Sequence, residues 1–237
     1  TFAWLSNNDI AGWDDGSYNG TISDMACGLS TISVGSYDTS DHWAALDGGL
    51  YKANWNPVVG HVSSFSSYGT LADGRNLPLV LAPGAVIMSG SNTHYVNAGY
   101  GNKATSGATA KGADGTTYYW ENNSGTSMAC PNAAATFANV LQALKEKGVT
   151  DKAARAEQAR NLLESSAYVF TDLDGYLYSV RKQGAGLVNS AAAIDLLENG
   201  AYITNPLQEL GDDAEKTGKY GFEVELKNDT DKDVEYF

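Results

Sequence analysis

The chain has 237 residues, 43% of them hydrophobic, and a formal charge of −13 at pH 7, which is enough apolar material for one large domain or one and a half. The acidic balance, with a sequence pI near 4.5, argues against a nucleic-acid partner, which needs a basic footprint, and fits a solvated extracellular surface. No apolar run approaches the length that spans a bilayer.

Taken in order, residues 1–28 are loop-rich, punctuated by Gly12, Gly16, Gly20 and Gly28. Asp14-Asp15-Gly16 reads as an acidic turn, because Ile10 to Trp13 before it is no buried strand. A strand is expected over Leu29 to Tyr37, then a polar excursion to Pro57, and short strands near Val62 to Ser66, Leu77 to Leu81 and Val86 to Ser89. Residues 90–123 are rich in Gly, Asn, Thr and Ala, and predict a hairpin whose second strand is Thr116 to Trp120. Apolar residues at helical spacing predict a helix from Ser127 to Lys147, stopped by Gly148 as the C′ residue, and a second from Asp151 to Ser165. Arg155 and Arg160 are expected on the solvated face of that second helix. Ala191 to Asn199 is a third helix, residues 205–220 look like a linker, and Phe222 to Val234 alternates as half-buried strands do.

The most informative string is Gly125-Thr126-Ser127-Met128-Ala129-Cys130-Pro131. A hydroxyl pair before an apolar helix puts Ser127 at a helix N-terminus, where unpaired N–H groups and the macrodipole favour an anion such as a forming oxyanion. A Thr-Ser pair so placed is most often a cap. The whole string, however, resembles the serine-nucleophile motif of the subtilisin-like serine peptidases, the subtilases. That resemblance implies Ser127 as nucleophile with its own N–H as one oxyanion donor, and Gly125, Thr126 and Ser124 as oxyanion and substrate-binding positions. After Pro131 the family usually has His-Val-Ala-Gly, whereas this chain has Asn132-Ala133-Ala134-Ala135, a departure that touches helix packing more than chemistry.

Further segments resemble the family in its order. Ile22-Ser23-Asp24-Met25-Ala26 is similar to its substrate-pocket segment, which adds Ser23 to the substrate-binding set. Val62 to Gly69 and Leu79 to Gly84 are similar to its Ser-Phe-Ser-Ser-x-Gly and Ala-Pro-Gly elements. Residues 90–123 then look like an insertion on the active-site side. Gln183-Gly184-Ala185-Gly186-Leu187-Val188-Asn189 and the strands after it resemble the bacterial cell-envelope proteinases and the C5a-peptidase group.

The expected class is therefore α/β: residues 1–204 as the C-terminal part of a subtilase domain, a mainly parallel sheet flanked by helices. Residues 205–237 are expected to be a linker and the first strands of a β-rich, fibronectin-like sandwich. A secreted or cell-surface serine endopeptidase acting on proteins or peptides is implied.

The family's Asp-Thr-Gly and His-Gly-Thr-His motifs do not occur in these residues, and His42, His61 and His94 lack the glycine-rich helix start of the catalytic base. Asn7, Asn8 and Asn19 lack the setting of the oxyanion asparagine. The carboxylate and base are expected on an N-terminal part outside this chain, leaving the chain inactive by itself and inclined to dimerise, to pair with that part, or to be unstable. The alternative is a non-catalytic relative that binds proteins or glycans.

No cofactor is expected. The family admits calcium, but the acidic turns at Asp14-Asp15, Asp172-Leu173-Asp174 and Asp229 to Asp233 lack a calcium-loop pattern, and Leu79 replaces the aspartate some members carry. Cys27 and Cys130 are expected as two free, buried thiols.

Overall fold

The computed structural model describes residues 18–100, 106–206, 208 and 215–235. The turn at Asp14-Asp15-Gly16, Asn7 and Asn8, and Asp212 and Asp213 of the expected linker lie outside the described residues. Two compact units are formed: one holds the described residues up to Asn132 with Phe170–Gly184, the other Ala133–Val169 with the described residues from Ala185 on.

In chain order the elements are β1 (Val34–Asp38), β2 (His42–Ala44), β3 (Leu50–Lys52), β4 (Gly69–Thr70), β5 (Asn76–Leu77), β6 (Val80–Ala85), β7 (Ile87–Ser91), α1 (Thr93–Asn97), β8 (Ser106–Lys111) and β9 (Thr117–Asn123). They are followed by α2 (Thr126–Glu146), α3 (Lys152–Ser165), α4 (Val180–Gln183), α5 (Ser190–Asn199), β10 (Tyr202–Ile203) and β11 (Leu226–Lys227). The mixture is α/β, as the sequence predicts.

In the first unit β1 and β6 form a parallel ladder, with Ser36 opposite Ala82. Val80, Leu81, Ala82 and Ala85 are buried, the near-continuous apolar run of a strand covered on both faces. Strand β9 lies between β7 and β8 in an antiparallel sheet. The first strand starts only at Val34, because Thr31 N–H bonds Gly28 C=O in a turn (3.1 Å). Pro78, which has no N–H to give, separates β5 from β6. Within the polar excursion β2 and β3 pair as a hairpin, a length too short for periodicity to reveal.

Val62 to Ser66 forms no strand, beyond one bridge between Val62 and Tyr37. Its serines instead aim hydroxyls at β1, side-chain bonds competing with a ladder. Ser66 Oγ accepts Ser36 N–H (3.0 Å) and Ser63 Oγ lies 2.8 Å from Ser36 Oγ. Ser63 donates its proton to Asp38 Oδ1, so Ser36 must donate to Ser63. Val58 N–H donates to the other oxygen of Asp38 (2.9 Å). Asp38 is 1% exposed, and burial pushes its carboxyl above the usual carboxylate range against the pull of Ser63, Val58 and His61.

The Gln183-Gly184 pair has a structural task in this unit. The buried Gln183 side chain accepts Phe170 N–H (2.8 Å) and donates to Tyr178 C=O (2.7 Å), closing the loop Phe170–Gly184. Gly184, at φ +58, leaves no room for a Cβ beside the Pro78 and Leu79 backbone.

In the second unit Val140, Leu144, Leu162, Ala193 and Leu197 are buried. Gly148 ends α2 at φ +88, with Val149 N–H on Leu144 C=O (3.0 Å). Asp151 and Asn189 cap α3 and α5 by accepting N–H bonds from Ala154 and Ala192. The arginines of α3 are less free than expected: Arg155 donates to Val149 C=O (3.2 Å), and Arg160 bonds Glu164 (2.7 Å), whose side chain is 5% exposed. Strand β11 pairs back on β10.

Leu162→Ala should lower stability by about 2–5 kcal/mol through the cavity it leaves, read from urea midpoints. The Asp38 effect has the opposite sign to an ion-paired carboxylate. A carboxyl whose folded pKa lies above its unfolded value holds more protons in the fold, so stability falls as pH rises between the two values. Asp38→Asn should flatten that slope, since the Ser63 hydroxyl can turn to accept from the new amide; urea midpoints at stepped pH check it.

Candidate functional site

The chain enters the site from β9, whose last residue Asn123 pairs with Ile87. Ser124 Oγ then accepts Val86 N–H (2.8 Å) and Gly125 N–H donates to Gly84 C=O (2.8 Å). Gly125 sits at φ +145, a conformation that side chains resist. Its C=O accepts the N–H groups of Met128 (2.9 Å) and Ala129 (3.2 Å), closing the first turn of α2.

Ser127 is exposed in that turn. Among the described residues its Oγ has no hydrogen-bond partner and its N–H has no acceptor, as the first N–H groups of a helix lack internal ones. Pro131, one turn on, has no N–H to offer Ser127 C=O. Asn132, where the family's histidine is replaced, donates its amide to both Pro83 C=O and Met128 C=O (3.0 Å each). That tie between the serine turn and β6 was hidden in the sequence, where Asn132 is one of several polar residues on α2.

Ser124, Gly125, Thr126 and Ser127 are thus one continuous element. Ser23 belongs to another, at the head of a 3-10 turn over Asp24–Ala26. Its C=O accepts Ala26 N–H (2.9 Å) and the Cys27 thiol (3.2 Å), and no hydrogen bond joins Ser23 to 124–127 among the described residues. Its segment runs beside the Ser67-Tyr68 backbone: Gly20 N–H donates to Tyr68 C=O (2.6 Å) and Tyr68 N–H to Tyr18 C=O (3.1 Å).

The three histidines have other surroundings. His42 Nδ1 is 2.6 Å from the Asp41 carboxylate on the exposed hairpin β2–β3. His61 Nδ1 is 3.3 Å from Tyr178 Oη, in a cleft of about 260 Å³ that Asp38, Tyr68 and Lys182 also line. His94 lies in the first turn of α1, its N–H taken by Asn92 Oδ1 (3.0 Å). None bonds Ser127 among the described residues. Asn19 is likewise engaged, accepting from Arg181 (3.0 Å).

Among the described residues no group of three or more His, Cys, Asp or Glu side chains is placed to hold a metal ion. Asp172 spends an oxygen on the N–H groups of Asp174 and Tyr176 (3.0 and 2.9 Å). Asp229 accepts from Tyr202 Oη (2.7 Å) and Gln158. Both cysteines are free, but Cys130 is exposed and Cys27 half-buried, contrary to the expected burial; the buried positions of α2 include Ala129, Ala133, Val140 and Leu144, and position 130 lies at the edge of that stripe.

The family model described as the subtilase family, peptidase S8, matches residues 6–186. The minor extracellular protease Vpr of Bacillus subtilis (strain 168) is 28% identical over 195 residues, which are 78% of this chain and 21% of that protein. The chain thus spans about a fifth of this relative's length. Among solved structures, the CspB protease of Clostridium perfringens is 22% identical, with 77% of this chain and 30% of that one covered at a TM-score of 0.47. The epidermin leader peptide processing serine protease (EpiP) from Staphylococcus aureus is 16% identical, with 70% and 40% covered at a TM-score of 0.32. With its family model covering residues 6–186, the chain belongs to the subtilase family of serine peptidases.

Proposed function

We propose that this chain carries the nucleophile of a secreted or cell-surface endopeptidase, and that Ser127 is that nucleophile. The observation that carries the reading is the exposed Ser127 at the start of α2, with a free N–H and an Oγ bonded to nothing among the described residues. Ser127 Oγ attacks the scissile carbonyl carbon while its proton passes to a histidine. The carbonyl electron pair moves onto oxygen, where the Ser127 N–H stabilises it. Collapse expels the amine, which takes the proton from the histidine, and water then releases the acid by the same two steps in reverse.

Gly125, Thr126 and Ser124 border the substrate backbone in this reading, and Ser23 belongs to the pocket for the side chain before the cut. The base and its carboxylate lie on residues outside these 237, in an N-terminal part that completes the domain; the engagements of His42, His61 and His94 support this. Residues 1–204 form the C-terminal part of the peptidase domain and 205–237 a linker and opening strands of a β-sandwich like that of the C5a-peptidase group. The alternation of the exposed Tyr220, Phe222, Val224 and Leu226 with polar residues or glycine supports it, as apolar positions for a facing sheet to cover, although only Leu226–Lys227 is a strand here. An extracellular location is supported by the name of the Vpr relative; among the described residues no helix is long and apolar enough to cross a membrane.

A fluorophosphonate probe should label Ser127 in the full-length protein but not in this chain alone, and Ser127→Ala should abolish the label; a folded full-length protein that stays unlabelled sinks the reading. Gly125→Ala, forced into φ +145 and thereby misaligning the Ser127 N–H, should lower kcat of the full-length enzyme by roughly 10²-fold, the range for disturbing an oxyanion donor, measured in peptide hydrolysis.

A further inference from the structure

The segment from Tyr18 to Ser33 contains one short 3-10 turn and no ladder beyond the bridge of Asn19 to Tyr68. Its shape is therefore fixed by the groups that bind its backbone. At its start Arg181 holds Asn19 (3.0 Å) and Gly20 pairs with Tyr68. Gly69 sits so close to the Gly20 backbone that a Cβ there would lie 2.6 Å from Gly20 N. Met25, between the two ends, and Leu29, just past the second, are 85% and 78% exposed.

At the far end stands Arg75. Its Nη2 donates to Cys27 C=O (2.6 Å) and its Nη1 to Gly28 C=O (3.4 Å). The guanidinium is itself held by Asp73, whose Oδ2 accepts Nε (2.9 Å) and Nη2 (2.8 Å) and whose Oδ1 accepts Arg75 N–H (3.2 Å). The turn between β4 and β5 carries both residues: Leu71 N–H donates to Arg75 C=O (2.8 Å), and Gly74 takes φ +90. The Arg75 side chain is only 24% exposed, so these charge-assisted bonds are partly sheltered from water and stronger than neutral ones. A lysine has no planar fork with which to hold an aspartate and two carbonyls at once.

We propose that Arg75 is a positioning residue for the substrate pocket: by clamping the Cys27–Gly28 backbone it sets the shape of the Ser23–Ala26 wall that receives the substrate side chain before the cut. This rests on the reading of that segment as the pocket wall. Arg75 touches neither the nucleophile element nor a substrate, and acts on recognition rather than on bond making.

The test uses the full-length protein and peptides that differ only at the residue before the cut. Alongside them runs diisopropyl fluorophosphate, which has no such residue and reports on Ser127 alone. Arg75→Ala should raise KM roughly tenfold, the scale of a lost charge-assisted bond, and compress discrimination among the peptides. Labelling of Ser127 should stay within about twofold of wild type, and Arg75→Lys should fall between. If Arg75→Ala does not fold, Asp73→Asn, which loosens the guanidinium but leaves it in place, should reproduce the loss of discrimination. Unchanged KM and discrimination in folded variants, or labelling lost in parallel with turnover, overturns the positioning role. A wild-type protein that is neither labelled nor active overturns the peptidase reading itself, which separates the two failures.

Discussion

The missing side chain of Gly84 is the constraint on which the serine element depends. A Cβ there would collide with Ser36 Oγ and come within 2.9 Å of Gly125 C=O. Because it is absent, β6 can lie between β1 on one side and the turn before Ser127 on the other, and Gly84 C=O is free to accept Gly125 N–H (2.8 Å). Gly35 answers the same need within β1, where a Cβ would strike Leu81 and Pro78. The Ala-Pro-Gly element is thus a close-approach device: buried alanines for packing, and a glycine where two backbones meet.

Around that ladder the first unit is held by side chains where longer strands would have used backbone. Ser36, Ser63 and Asp38 form a buried chain of hydroxyl and carboxyl, and Ser66 takes the one N–H of β1 that it faces. Hydrogen bonds from Ser63 and Val58 and the nearby His61 oppose the effect of burial on Asp38 without cancelling it, so the fold carries a carboxyl it holds more easily when protonated. Gln183 plays the equivalent part in the loop Phe170–Gly184, Arg75 at Cys27 and Gly28 and Asn132 at the start of α2. Each satisfies backbone groups that would otherwise lie unpaired.

The serine element inverts that economy. At the start of α2 the helix leaves its first N–H groups open, Pro131 withholds a donor from Ser127 C=O, and the hydroxyl of Ser127 has no partner among the described residues. Left to water, these groups are available to a ligand that can take the water's place. The β7–β9–β8 sheet feeds directly into this element through Asn123 and Ser124, so that sheet positions the turn that carries Ser127.

Where periodicity is long the sequence alone was decisive. The three long helices stand within a residue or so of their expected bounds, because apolar spacing, Gly148, Asp151 and Asn189 all act locally. The string around Ser127 and the Ala-Pro-Gly and Gln-Gly-Ala-Gly elements were legible through their resemblance to the subtilases, while the demands that Gly84 and Gly184 answer are tertiary: close approach to Ser36 and Gly125, and to Pro78 and Leu79. Tertiary structure decided the rest. It turned the expected strand at Val62 to Ser66 into a coil whose Ser63 and Ser66 hydroxyls bond β1, made Asp38 a buried carboxyl, exposed Cys130, and brought Arg75 to Cys27 across 48 residues of chain. No pattern in one stretch announces such meetings, since each depends on a hydrogen bond that offsets the cost of taking two groups distant in the chain out of water, and that pairing exists only once the chain has folded.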